Sequence, residues 1–225
     1  MPSSSSSRLL YRIMPFHRAA QLLTTGDWYF AHPSEWEDPF ESHLTNAQSA
    51  HMFAQCWCRN PVSDAMWRIY SKDYLGVRIA VVESKLLRGL DEATELSGCR
   101  YRFGRVKYVS ETAYPHEVNK IAASLTARAS RNRASQHLFL KRSPFSHEAE
   151  SRIVLFDKRR PDSSGRRGRF LRMNAMTLIE SIYMDPRAPT ELATALGLMF
   201  RHKLKFQGRI AQSSLYTQGQ PITIR

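Results

Sequence analysis

The chain has 225 residues, 42% of them hydrophobic and 11% aromatic, enough for the core of one large domain and too apolar for a disordered chain. No stretch approaches the ~18 consecutive apolar residues of a helical membrane span, which excludes that class. Thirty-three Lys and Arg against 20 Asp and Glu give a formal charge of +13, which excludes an acidic surface and predicts attraction for polyanions.

In chain order, "MPSSSSSR" lacks an apolar segment, so residues 1–7 read as a disordered serine-rich tail and not as a secretion signal. Residues 8–225 read as a single domain. "RLLYRI" (8–13) predicts a first strand. Pro15 near a helix start, Phe16, Ala19, Ala20 and Leu23 at helical spacing, and Gly26 as a stop predict a helix. "WYFAHP" (28–33) predicts a second strand. "SEWEDPFES" (34–42) is an acidic-aromatic loop in which Pro39 blocks a continuous helix. It is either a lid over a cleft or a loop pinned to the core by Trp36 and Phe40. "HMFAQCWCRN" (51–60) predicts a third strand carrying Cys56 and Cys58. Their spacing suits no zinc knuckle, and with Cys99 they make no disulfide framework. Buried thiols in a reducing compartment follow, so the expected location is cytoplasmic.

"SDAMWRIY" (63–70) predicts a short helix capped by Ser63 or Asp64, and "LGVRIAVV" (75–82) a strand. "SKLLRGL" (84–90) predicts a turn or two of helix, and "CRYRFGRVKYV" (99–109) a strand interrupted at Gly104. Val118, Ile121, Ala122 and Leu125 predict a helix between about 114 and 138. "SRIVLF" (151–156) reads as a core strand, 157–169 as a basic loop, and "SIYMD" (181–185) as a further strand. Leu192, Ala195, Leu196 and Met199 predict a helix over 189–203, and "PITIR" an edge strand at the C-terminal end. The expected fold class is α+β, a single mixed domain of six or seven short strands with inserted helices.

The positive charge is uneven. Residues 128–172 hold 13 Lys and Arg and 4 Asp and Glu, a net +9, and 201–209 adds four bases without an acid. Arg131, Arg133, Arg159, Arg160, Arg166, Arg167 and Arg169 are the candidate contacts to a polyanion, RNA or DNA. No Walker loop, GxGxxG, HExxH or GxSxG occurs, and the eight histidines are scattered; His147 reads as a lone surface histidine. No metal-ligand set is evident. The informative stretch is "FLKRSPFSHEAESRIVLF" (139–156). Glu148, Glu150 and Arg152 recur at spacing two, one face of an extended strand. Beyond residue 152 the strand is apolar on both faces and enters a covered core, so the acids sit at its mouth. They are either a catalytic acid with its positioning partners or a salt-bridged strand edge.

Four ordered stretches carry a resemblance: Tyr11-Arg12 on the first strand, "PSEWEDPFE" (33–41), "SDAMWRIYSKDYLGVRI" (63–79) and Lys141 to Arg152. Over roughly residues 9–186 the chain resembles the bacterial family catalogued as domain of unknown function 2971. More weakly, its opening order is similar to that of ADP-ribosyltransferase-like folds. These begin with a strand bearing a basic residue or His, follow with a helix and second strand, and close on a strand led by a catalytic Glu. That resemblance implies Arg12, beside Tyr11, as the residue holding NAD, with Trp67 or Tyr70 stacking on the nicotinamide. Arg68 and Arg152 are further cations for the pyrophosphate, and Glu148 or Glu150 is the acid, without a metal. It implies an enzyme modifying a nucleic acid or other macromolecule, as bacterial toxins and phage-defence effectors do. A non-enzymatic nucleic-acid-binding module, its acidic pair purely structural, is the alternative reading of the same residues.

Overall fold

The computed structural model describes residues 8–42, 44–46, 48–127, 130–157 and 167–217. The serine-rich tail, residues 158–166 of the basic loop and "PITIR" lie outside the described residues. The chain opens with β1 (Leu9–Pro15), α1 (Phe16–Thr25) and β2 (Asp27–Ala31), in the expected order. α1 buries Ala19, Leu22 and Leu23, and ends at Gly26, whose φ of 71° is left-handed. After short 3₁₀ turns come β3 (Met52–Cys58), α2 (Asp64–Tyr70) and β4 (Gly76–Val82). Ser63 is the N-cap of α2; its hydroxyl accepts the Met66 N–H.

α3 (Glu83–Ser97) runs 15 residues, well beyond the one or two turns expected. Leu86, Leu90 and Ala93 form one buried stripe, and Gly89 lies where the Leu178 side chain packs close. β5 (Arg100–Arg105) and β6 (Lys107–Val109) divide the expected strand at Val106, not at Gly104. Gly104 stays paired to Arg152 and leaves room for the Phe139 ring. α4 (Tyr114–Ala127) and α5 (Arg131–Ala134) precede β7 (Leu140–Arg142) and β8 (Glu150–Phe156). The chain continues with β9 (Gly168–Arg172), α6 (Ala175–Leu178), β10 (Ile179–Met184), α7 (Thr190–Leu198) and β11 (Arg209–Gln212).

The class is α+β, as expected, but with more strands than six or seven. β6, β7, β9 and β11 span three to five residues each, too short for a two-residue alternation to register. They form because neighbouring strands offer edges to pair with. Nine strands make one sheet in the order β11-β10-β4-β1-β3-β2-β9, with β8 on β3 and β5 on β8; β6 and β7 pair separately and in parallel. Most neighbours pair along their length, but β1 meets β3 at a single bridge, Tyr11 to Cys58, and β2 meets β3 only at Ala31 to Ala54. β1 and β2 thus touch β3 at two separated points, and the strand between opens on a notch.

β8 is buried along its whole length. Ile153 and Leu155 join the main core with Leu10, Trp28, Trp57, Ile79 and Leu90, while Val154 and Phe156 join a second core with Met52, Leu138 and Phe139. This two-sided burial is what an unbroken apolar run predicts. No helix among the described residues is long and apolar enough to cross a membrane.

A methyl group at Gly26 would meet the Met173 carbonyl oxygen at 2.9 Å and force a left-handed conformation on a substituted residue. Gly26→Ala is therefore expected to lower unfolding stability by more than about 1 kcal/mol, read as a lower denaturation midpoint at unchanged slope.

Candidate active site

The notch beside β3 deepens into a cleft of about 590 Å³, bounded by β1, α1, β2, the acidic-aromatic loop and α2. Arg12, Trp36, Cys56, Tyr70 and Glu150 all line it. Two chain segments about 140 residues apart thus reach one cavity. Burial lowers the Arg12 pKa, and among the described residues no carboxylate or hydrogen-bond acceptor meets its guanidinium. A half-buried cation without an anion is a ready counter-charge for a bound phosphate. Cys56 is inert as a nucleophile, because burial and the nearby Glu150 carboxylate push its pKa to about 12.

Behind the cleft lies a buried ion cluster. Arg152 is 0% exposed. Its Nε donates to Glu150 Oε2 at 2.5 Å, one terminal nitrogen donates to Glu41 Oε1, and the other to the Leu138 carbonyl at 2.7 Å. Trp36 covers the guanidinium, its ring centroid 4.5 Å from Cζ. Lys141 Nζ bonds Glu148 Oε2, reaches Glu150 Oε1 at 3.2 Å and Glu41 Oε2 at 3.8 Å. The two oxygens of Glu150 are held by different cations from two different strands. β6 closes the arrangement: the Tyr108 hydroxyl accepts the Glu150 backbone N–H at 2.9 Å.

Three carboxylates face two cations, so the cluster is electrically balanced when one carboxyl keeps its proton. Glu148 is that one. Burial, then its hydrogen bond to Glu150 and the charge there, raise its pKa far more than Lys141 lowers it. Burial would raise Glu150 too, but the charge of Arg152, the hydrogen bond from Glu148 and the charge of Lys141 outweigh it and hold Glu150 ionised.

Glu150 and Arg152 share a strand face, as expected. Glu148 does not belong to that strand: it ends a 3₁₀ turn, and Ala149 turns the chain at φ 45°. Its carboxyl still reaches Glu150 through Lys141. Tyr70 lines the cleft, whereas Trp67, on the same helix, is 1% exposed and faces the core. Arg68 points to solvent and pairs with Asp64 at 2.8 Å. The Tyr11 ring lies under the Arg78 guanidinium, 5.2 Å from its centroid. Lys141 and Glu41 were not singled out from sequence, although both stand in the stretches that carry the family resemblance. Each joins the cluster from outside β8, so no spacing within "HEAESR" could have announced it.

Of the arginines expected to meet a polyanion, Arg159, Arg160 and Arg166 lie outside the described residues. Arg131 lines a separate groove with Arg100 and Tyr101, and Arg133 donates to the Ser124 carbonyl at 3.2 Å. Arg167 is exposed, 3.5 Å from Glu35, and Arg169 pairs with Asp157 at 2.7 Å.

Residues 66–153 match the model of a protein family of unknown function, DUF2971. This covers α2 through the ion cluster on β8, a narrower span than the ordered stretches alone suggest. Among solved structures, the chain is similar to DarT of Thermus sp. 2.9 in complex with carba-NAD+, at 11% identity and a TM-score of 0.41 over 92% of this chain and 96% of that one. It is similar also to the same protein in complex with ADP-ribosylated ssDNA, at 10% identity and a TM-score of 0.43 over 93% and 95%. No curated protein matches the sequence. A likeness this loose says nothing of the site, which stands on its own residues.

Removing Arg152 strands two carboxylates in the core. Arg152→Met is expected to cost about 3–5 kcal/mol of unfolding stability, read by chemical denaturation. Glu148 binds its proton more tightly folded than unfolded. Its contribution to stability is complete below the ordinary carboxylate range and is lost as pH rises through its raised folded-state pKa. In Glu148→Gln, a permanent mimic of the protonated form, melting temperature is expected to lose that alkaline decline when compared with the parent across the pH range.

Proposed function

We propose that the cleft binds NAD and transfers ADP-ribose from it to a nucleic acid. The observation that supports this is the pairing, in one cavity, of an anion-seeking guanidinium, Arg12, with a carboxylate fixed in its charged form, Glu150. The cavity's volume suits a dinucleotide. Breaking the bond between nicotinamide and ribose sends the electron pair to the leaving nicotinamide and builds positive charge on the sugar. An ionised carboxylate in a low-dielectric wall stabilises that charge without reorganising, provided something holds it still. Lys141 and Arg152 hold both of its oxygens. The acceptor then attacks the anomeric carbon and gives up its proton. Arg12 meets the pyrophosphate, and Tyr70 and Trp36 supply flat surfaces for the rings.

In this reading Lys141, Arg152 and Glu41 are positioning residues, and so is Glu148. The compartment that fits such chemistry is the cytoplasm, where NAD and nucleic acid meet.

Two observations favour a second reading. Glu148 and Glu150 are each 5% exposed, as in a purely structural ion cluster, and the net charge of +13 suits a nucleic-acid-binding module with no chemistry of its own.

The two readings separate with isotopically labelled NAD and either single-stranded DNA or RNA, following nicotinamide release and label transfer. For the enzyme, Glu150→Gln and Arg12→Gln are expected to fold and to lose about 100-fold or more of turnover, Glu150→Gln chiefly in kcat and Arg12→Gln chiefly in KM. A parent protein that releases no nicotinamide, yet binds nucleic acid equally well with either substitution, is the module.

A further inference from the structure

The rim of the cleft carries a feature that NAD chemistry leaves unused. β2 and β9 pair with Tyr29 opposite Phe170 and Asp27 opposite Arg172. Alternation puts these four on one face, while Trp28, Phe30 and Leu171 enter the core from the other. Tyr29 and Phe170 remain 38% and 51% exposed, their ring centroids 5.1 Å apart and tilted by 52°. The Tyr29 ring is fixed without being buried. Its hydroxyl donates to the Arg167 carbonyl at 3.1 Å, and the ring lies over Gly168, where any Cβ would stand 2.2 Å from it. Two large aromatic side chains held in place on a solvent face have surface to offer a ligand.

Both rings line the same cleft as Glu150 and Arg12. Arg18 also lines it, is exposed, and donates to Gln21 Oε1 at 3.2 Å. Arg172 is exposed two residues along β9 from Phe170, on the same face. Among the described residues neither arginine has an ion pair.

Resting on the transfer reading above, we infer that Tyr29 and Phe170 form the platform on which an unpaired base of a single-stranded nucleic acid stacks as it enters the cleft. Arg18 and Arg172 take the flanking phosphates. An unpaired base exposes both π-faces, which a base in a duplex does not, and stacking accepts any base. The rings stand at the rim, with cations turned outward beside them. That suits a strand running past the cleft better than the adenine of a dinucleotide enclosed within it.

The test measures affinity for a fluorescent oligothymidine of about twenty nucleotides, longer than one ~4–16-nucleotide stacking site, for the same length as a duplex, and for NAD. Tyr29→Ala and Phe170→Ala are each expected to raise the single-strand Kd about tenfold at unchanged salt slope. Arg18→Gln and Arg172→Gln are expected to lower that slope by about 0.7 each. Phe170→Trp restores binding, and Gly168→Ala, which displaces the Tyr29 ring without deleting it, weakens it. Aromatic variants that bind the single strand like the parent but lose NAD would overturn the inference and assign the rings to adenine. Equal losses for single strand and duplex would overturn it too. Loss of single-strand binding in a protein that never cleaves NAD would leave the platform standing and remove only the transfer reading.

Discussion

The Glu150 carboxylate, held at one oxygen by Lys141 and at the other by Arg152, is the constraint on which the rest of the site depends. A lone carboxylate this deeply buried would take up a proton. Two cations from different strands keep it charged, and Glu41 balances the second of them. Each partner is reached by a separate part of the fold. β7 brings Lys141, the loop after β2 brings Glu41 and Trp36, and β6 brings the Tyr108 hydroxyl. The cost of desolvating these charges ties distant segments together, since losing Lys141 or Arg152 leaves a buried carboxylate uncompensated.

The sheet supplies the space in front of that carboxylate. A continuous ladder between β1 and β3 would bring their backbones to about 5 Å and leave no room for a ligand. With single bridges at Tyr11–Cys58 and Ala31–Ala54, the strands part and side chains of both walls face a common cavity. Arg12 is placed by full pairing of β1 with β4 on its other edge, and Glu150 by full pairing of β8 with β3. The two walls are rigid where they carry chemistry and unpaired where the ligand must enter.

The acidic-aromatic loop joins both roles. Trp36 covers Arg152 from one side and lines the cleft on the other. Asp38 pairs with Arg142 at 3.1 Å, and the Arg142 guanidinium packs on the Phe40 ring, 3.9 Å from its centroid. Of the two residues expected to pin this loop to the core, Trp36 packs against the second core, while Phe40 stays 43% exposed against the Arg142 guanidinium.

The sequence by itself determined the elements whose pattern is local. Gly26 ended a helix because only a residue without Cβ sits easily at φ 71°, Ser63 capped the next helix, and the unbroken apolar run 153–156 had to be covered on both faces. It also marked Glu150 and Arg152 as neighbours on one strand face. Tertiary structure alone decided what those groups do. It took Glu148 off the strand, turned Tyr70 toward the cleft and Trp67 into the core, and recruited Lys141 and Glu41 from other segments. Helical and extended periodicities report which residues share a face of one element. Whether a charge on that face meets a partner or a cavity depends on how elements far apart in the chain are packed, which no local spacing encodes.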